Sequence, residues 1–548
     1  MQEVKYGRVI SCALNGINGI LIEIEVSLLA GMPHFEIVGL GDCAVRESRN
    51  RVYAAIKNSG YNFPQGRLTA SYAPAWLKKE GTGFDLALAL AILIASRQLK
   101  IGPDKQPVCV IGELSLTGEV KPLPGVICRV GACVSKGIEQ MIVPAQNYNE
   151  AAGISSSKPY PVRSLRAAAA ILARNIDQRE DTANKMLLDH SKDTGHTIIC
   201  NNHFYQHTSS KSVNAAEDHV YEDALLQFSS IAGQQRALRG LILSAAGWHH
   251  SLMLGSPGCG KTTLARCLPA LLPDMETDEA REVTMIRSSA GLTGENDSLI
   301  KKRPFEAPHH TASRGAMIGG GNSPYPGLCT LAHQGILFLD ELTHFASDVL
   351  DSLRQPLEQG VVNISRFNYR ISWPADFLLV GAANPCQCGN LLEPDGKCRC
   401  SSESVSRHLN RISGPLLDRM DLTIEMTRLK TDELPNSVSR QLSIEPALIA
   451  RQAVANCWQR QRERCLEHGV EPVHNGRVSG RDIADLFEIS QEILQYTANA
   501  SDLLNLSARG YIKALKLART IADLENDELI KQEHINEALQ YRLYRSRQ

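Results

Sequence analysis

The chain has 548 residues, too many for one ordinary hydrophobic core, so roughly two to four domains are expected. Hydrophobic residues make up 43% and charged residues 21%, the balance of a soluble globular protein and not of a disordered one. Lys and Arg total 58 against 59 Asp and Glu, and the net charge of −1 excludes binding to nucleic acid through bulk charge; any such surface must be local.

The first residues, MQEVKYGRVISCALNG, lack the long apolar core of a signal peptide. The most apolar run, Leu86–Ala95, is too short to cross a bilayer and reads as a buried helix, so no membrane partner is expected. Cysteine count and scatter (15, an odd number, without an export signal) point to a reducing cytoplasm. Residues 1–172 read as a mixed α/β domain. Strands are expected at Ile20–Val26, Phe35–Val38, Val108–Ile111 and Gln140–Val143, and helices at Ala44–Ser59 and Phe84–Ser96. Residues 173–222 are polar, without sustained periodicity, and read as a linker with room for short ordered pieces; its histidines could bind metal, but their irregular spacing favours a solvated segment. Residues 223–435 form a second α/β domain with a cysteine-rich insert at 386–400. Residues 436–548 read as helical, most clearly at Ser507–Glu525 and Gln532–Tyr541.

The chemistry is concentrated in the second α/β domain. A short apolar strand, Ser251–Leu254, leads into Gly255, Ser256, Pro257, Gly258, Cys259, Gly260, Lys261, Thr262 and Thr263, and then into a helical run. This is the whole phosphate-loop pattern in its required strand–loop–helix setting. Glycines let backbone N–H groups turn towards phosphate oxygens, and the helix adds its positive N-terminal end. Lys261 is expected to reach the β and γ phosphates of ATP, and Thr262 to bind magnesium. Further on, Ile336–Leu339 is a buried strand ending in Asp340 and Glu341. An Asp there can hold magnesium through water, and the adjacent Glu can deprotonate the attacking water. A third apolar strand ends at Asn384, which fits an amide that positions that water, although an Asn before Pro385 is also a turn former.

Long stretches resemble the magnesium-chelatase-like AAA+ ATPases, and within them the YifB/ComM family. They are Phe305–Ser313 (FEAPHHTAS), Gly319–Gly321, Leu331–Glu341, Leu353–Glu358 (LRQPLE), Asn384–Gly389 (NPCQCG) and Ile412–Leu422 (ISGPLLDRMDL). Phe35–Leu40 and Ala44–Ser48 match the family's N-terminal signature. The resemblance implies a homo-hexameric ring in which Asn384 is the first sensor. It makes Arg419 the finger given to the neighbouring subunit's ATP, and Arg509 the second sensor on the helical lid. It also implies a DNA motor of the branch-migration kind, acting on single-stranded or branched DNA in recombination or natural transformation. The alternative is a remodelling ATPase of chelatase or chaperone type, acting on a protein or a metal–porphyrin complex. True magnesium-chelatase subunits are expected to lack the N-terminal domain and the cysteine insert. One departure is Glu306, where the family pattern leads one to expect a basic residue.

Gly112–Pro122 (GELSLTGEVKP) resembles part of the Lon protease domain, which implies a Lon-like fold for the N-terminal domain. The positions that align with the Ser–Lys dyad hold Gly83 and Ile127, and neither Thr82 nor Lys78 fits the pattern, so no protease is expected. Cys386, Cys388, Cys398 and Cys400 form two C-x-C pairs around a turn. Four thiolates so spaced can close a structural zinc site; free surface thiols or a redox pair are the other readings. The DNA-contact candidates are Arg366 and Arg370, in an expected hairpin before the first sensor, and Lys301, Lys302 and Arg303.

Overall fold

The computed structural model describes residues 5–38, 43–74, 82–101, 106–173, 213–231, 233–294, 298–321, 325–366, 369–393, 398–428 and 443–542. The chain divides into two compact units, Met1–Lys211 with Ala280–Ile300, and Ser212–Glu279 with Lys301–Gln548.

The first unit is built on a seven-stranded mixed sheet. Its order is His34–Val38, Arg67–Ala73, Asn18–Leu29, Lys5–Asn15, Val108–Val110, Gln140–Pro144, Lys158–Val162. Along Asn18–Leu29 the residues Ile22, Ile24, Val26 and Leu28 are buried, while Glu23 and Glu25 face outward, the period of a half-buried strand. Sequence periodicity found this strand but not its antiparallel partner Lys5–Asn15, whose polar Lys5, Arg8 and Ser11 dilute the apolar signal. The helix Asp85–Ala95 is apolar all round, and every residue but Ile94 is buried, as its composition requires. The buried Asp85 carboxylate accepts from Arg51 Nε at 2.8 Å and from the Ser48 hydroxyl. Of the aligned protease positions, Ile127 is fully buried in the helix Val126–Ser135. The Thr82 hydroxyl donates to Glu113, and Lys78 lies outside the described residues. Ala280–Ile300 is bonded into this unit, with Gly125 N–H donating to the Ser288 carbonyl (3.1 Å) and hydroxyl (2.9 Å).

The second unit holds a five-stranded, wholly parallel sheet. Its order is Phe305–Glu306, Ile336–Leu339, Leu378–Ala383, Ser251–Gly255, Leu422–Met426. The first strand in sequence therefore sits between the fourth and the last. The carboxyl ends of three adjacent strands (336–339, 378–383 and 251–255) lie side by side, where parallel α/β sheets place their ligands. Glu306 is half-buried in the edge strand of this sheet.

Helices Glu445–Glu467, Gln491–Leu503, Ala508–Glu525 and Gln532–Gln540 make the C-terminal region, as expected. Ser490 and Ser507 cap two of them, accepting from Ile493 N–H (3.3 Å) and Gly510 N–H (3.2 Å). One apolar cluster, including Leu241, Ile424, Val454, Leu517 and Ile535, joins these helices to the sheet.

The expected linker ends early. Val213–Ser230 is a helix, held by Leu225, Phe228 and Tyr221 at helical spacing, with Tyr221 Oη donating to the Ala270 carbonyl at 3.1 Å. Residues 174–212, the rest of that linker, lie outside the described residues. None of the described helices is long and apolar enough to cross a membrane.

Candidate nucleotide site

The phosphate loop leaves the buried strand Ser251–Gly255 and enters the helix Lys261–Leu271. Gly258 (φ +79°) and Gly260 (φ +93°) take left-handed backbone that L side chains avoid, and a Cβ on either would meet open space. Lys261 Nζ donates to the carbonyls of Gly255 (2.7 Å) and Ser256 (3.0 Å) and to Asn384 Oδ1 (3.2 Å). The Ser256 hydroxyl is buried without a hydrogen-bond partner, an orphaned polar atom at the base of the loop.

Thr262 Oγ1 donates to Asp340 Oδ2 at 2.7 Å, which brings together the two oxygens that the sequence assigns to magnesium. A hydroxyl and a carboxylate at this separation are the hard oxygen donors that magnesium takes, so the pair fits the ion. Glu341 adopts φ +51°, a left-handed conformation rare for a side-chain-bearing residue. Its N–H donates to Asp340 Oδ1 at 2.9 Å. Its half-exposed carboxylate meets two histidines, with His344 Nδ1 at 3.2 Å and His310 Nδ1 at 3.5 Å from Oε2. His309 stacks beside His310 with ring centroids 4.1 Å apart. Residue-by-residue reading missed these histidines around Glu341; the Pro-His-His run was the available signal for His310, which only the fold brings to Glu341.

Asn384 is fixed from both sides, since His408 Nε2 donates to its carbonyl at 3.1 Å while its side chain accepts from Lys261. Burial pushes the His408 imidazole below its ordinary value. The two family-assigned arginines lie elsewhere. Arg419 donates to the Pro415 carbonyl at 2.7 Å and pairs with Glu358. Burial, together with the neighbouring guanidinium groups of Arg509 and Arg354, pushes Arg419 below its ordinary value. Arg419 and Arg509 are thus neighbours, and neither donates a hydrogen bond to the phosphate loop among the described residues.

The strand before the loop carries a buried polar knot. Burial opposes ionisation of Asp421, but Lys513 at 2.9 Å, with the His249 side chain, holds it well below the usual carboxylate range. His250 Nδ1 accepts the Leu379 N–H at 3.0 Å, and burial, with Arg477 nearby, pushes the ring well below the ordinary histidine value. A ring nitrogen that accepts must be unprotonated, so both observations describe a neutral imidazole.

The four cysteines come together. Cys386 Sγ lies 3.4 Å from Cys388 Sγ and 3.7 Å from Cys398 Sγ, Cys388 Sγ lies 3.6 Å from Cys398 Sγ, and all four sulfurs fall within 4.8 Å of one another. A tetrahedral zinc–thiolate site has Zn–S bonds of about 2.3 Å and hence sulfurs about 3.8 Å apart. These spacings fit that geometry and are far too long for a disulfide.

Among the DNA candidates, Arg303 must be withdrawn. It is buried, donating to Glu279 Oε2 (2.8 Å), the Pro273 carbonyl (2.9 Å) and the Gln334 carbonyl (2.8 Å), with its guanidinium over the Trp458 ring. Lys302 is committed to Asp274 (3.2 Å) and the Tyr221 ring. Arg366 and Arg370 do lie on a hairpin, Val361–Arg366 with Tyr369–Pro374, and both are exposed. The hairpin buries Val362, Ile364, Ile371 and Trp373 on one face, and its tip touches the Gly319–Gly321 turn through Tyr369 Oη, which donates to the Gly321 carbonyl at 2.7 Å.

Comparison with known proteins adds the family. Residues 227–434 match the family model for magnesium chelatase, subunit ChlI. Residues 24–147 match the model for subunit ChlI of Mg-chelatase, and residues 445–542 match its C-terminal model. The chain is 38% identical over 534 residues to the competence protein ComM of Haemophilus influenzae, covering 97% of each. It is 35% identical over 532 residues to the protein YifB of Escherichia coli, covering 96% of this chain and 95% of YifB. The magnesium-chelatase 38 kDa subunit of Acidiphilium rubrum is 24% identical over 349 residues, covering 59% of this chain and 92% of that subunit.

Proposed function

The chain belongs to the magnesium-chelatase-like YifB/ComM family of AAA+ proteins, and on that premise we propose that it is a hexameric ATPase that drives DNA strands in recombination or natural transformation. The observation that carries the ATPase reading is the convergence of Lys261, Thr262, Asp340 and Asn384 at one end of the parallel sheet. Lys261 would exchange the Gly255 and Ser256 carbonyls for phosphate oxygens of ATP. Thr262 and Asp340 would hold magnesium, which supplies positive charge beside the phosphates. Glu341, aimed by His310 and His344, would take the proton of the attacking water, and Asn384 would orient that water. Arg419, which donates to the Pro415 carbonyl and pairs with Glu358, would be the finger delivered to a neighbouring subunit's nucleotide, and Arg509 the second sensor on the helical lid. The four cysteines would hold one structural zinc ion, whose chemistry is a crosslink of the 386–400 insert.

The DNA step rests on the likeness to ComM, whose name records a role in competence, and on the exposed Arg366 and Arg370 of the hairpin. With a net charge of −1, such contacts must be local, and six copies around a ring would concentrate them. Remodelling of a protein or a metal–porphyrin complex is the competing reading, and the chelatase description of residues 24–147 means that the N-terminal domain alone does not separate the two. Binding of the Glu341→Gln protein with ATP to fluorescent single-stranded and forked DNA, across a salt series, does. Affinity that falls steeply with salt supports the DNA reading; no binding at low salt, with rings verified, turns the proposal to remodelling.

A further inference from the structure

The cysteine insert leaves the sheet directly beside the nucleotide site. Strand Leu378–Ala383 ends at Asn384, which bonds Lys261, and Cys386 follows two residues later. The first cysteine pair lies in a tight turn closed by Gly389 N–H donating to the Cys386 carbonyl at 3.0 Å. Gly389 is buried with φ +79°, and a Cβ there would sit 2.4 Å from Cδ and 3.0 Å from Cγ of Pro257, in the middle of the phosphate loop. The backbone of the cysteine turn is therefore in direct contact with the loop, with room for a hydrogen atom only.

The other side of the insert is anchored independently. Cys400 precedes Ser401, which caps the helix Ser402–Leu409. That helix packs Val405 and Leu409 on the buried Cys386, and sends His408 to the Asn384 carbonyl. Glu393 accepts the Arg428 N–H at 3.3 Å, just past Leu422–Met426, the strand that pairs with Ser251–Gly255. Sulfur contacts of 3.4–3.7 Å between thiols are weak; four thiolates on one metal ion are a crosslink. What stands between the two anchored sides is the turn that touches Pro257.

We infer that the four-cysteine cluster is a metal-held brace for the phosphate loop: zinc fixes the Cys386–Gly389 turn against Pro257, and losing the metal loosens the loop and weakens ATP binding. This rests on the zinc reading given above. Gly389 is then a positioning residue, acting on nucleotide through Pro257.

The test uses the full-length Glu341→Gln chain, zinc analysis, and titration with a fluorescent ATP analogue in excess magnesium. Purified without chelators, the protein is expected to carry about one zinc per chain. Stripping zinc with a zinc-selective chelator, then removing the chelator, should weaken analogue binding roughly tenfold or more, and added zinc should restore it. Gly389→Ala should weaken binding while keeping its zinc, which a purely structural role for the metal elsewhere would not produce. This variant leaves all four sulfurs intact, so the test survives if Cys386→Ser fails to fold. Zinc-free protein that stays folded and binds the analogue with unchanged affinity overturns the brace while leaving the zinc site standing. Protein that never contains zinc overturns the zinc reading itself.

Discussion

Lys261 is satisfied by two carbonyls of its own loop and by Asn384, all acceptors that a phosphate replaces with stronger, charged ones. Lys261→Ala is expected to abolish binding of a fluorescent ATP analogue and turnover with it. Glu341→Gln is expected to keep binding and to slow phosphate release by about 10²-fold or more, because only the base is lost. A Gln variant that hydrolyses at the parental rate places the base elsewhere. His250 gives a separate, pH-dependent expectation. Its folded pKa lies well below the ordinary 6.5, so below that pH the unfolded chain binds a proton that the folded chain refuses. The stability contributed by the neutral ring is fully present well above pH 6.5 and is lost as pH falls below it. Urea unfolding of the ATPase unit at pH 7.5 and 5.5 measures this. His250→Asn offers an amide oxygen to Leu379 N–H without titrating, so its stability should depend less on pH. An equal pH dependence in the two proteins contradicts the assignment.

At the scale of elements, the cysteine insert and the hairpin are the two devices added to the parallel sheet. Replacing Cys386 and Cys388 with Ser should release the metal and lower the thermal midpoint, read by zinc analysis and melting of the same sample. Equal zinc content in variant and parent would mean that the metal binds elsewhere. Much of this level was legible in the sequence because its signals are local. The phosphate loop announces itself by glycines at fixed spacing, Asp85–Ala95 by unbroken apolarity, and the four-cysteine cluster by two C-x-C pairs. What was not legible depended on long-range partners. Lys5–Asn15 is a strand because Asn18–Leu29 pairs with it. Arg303 looked like a free cation, and is buried because two tryptophans and Glu279, distant in sequence, surround it. Phe305–Glu306 is a strand because Ile336–Leu339 offers it a parallel edge. Glu341 gained the distant His310 as a neighbour for the same reason.

At the scale of the whole molecule, Arg419 and Arg509 bear on assembly. As the proposed finger, Arg419 would complete the site of the neighbouring subunit. Arg419→Ala should abolish hydrolysis, yet mixing it with Lys261→Ala should restore part of the activity. The first variant keeps a working loop, and the second still offers Arg419 across the interface. Absence of recovery at every mixing ratio, with mixed rings verified, would contradict a finger acting between subunits.

The central claim is that ATP hydrolysis here is coupled to DNA, and the ATPase rate measured with and without single-stranded, duplex and forked DNA tests it most directly. Single-stranded or forked DNA should raise turnover in the parent protein. Arg366→Ala with Arg370→Ala should remove the stimulation while leaving the DNA-free rate intact. A rate indifferent to every DNA, in protein that assembles and hydrolyses ATP, would contradict it.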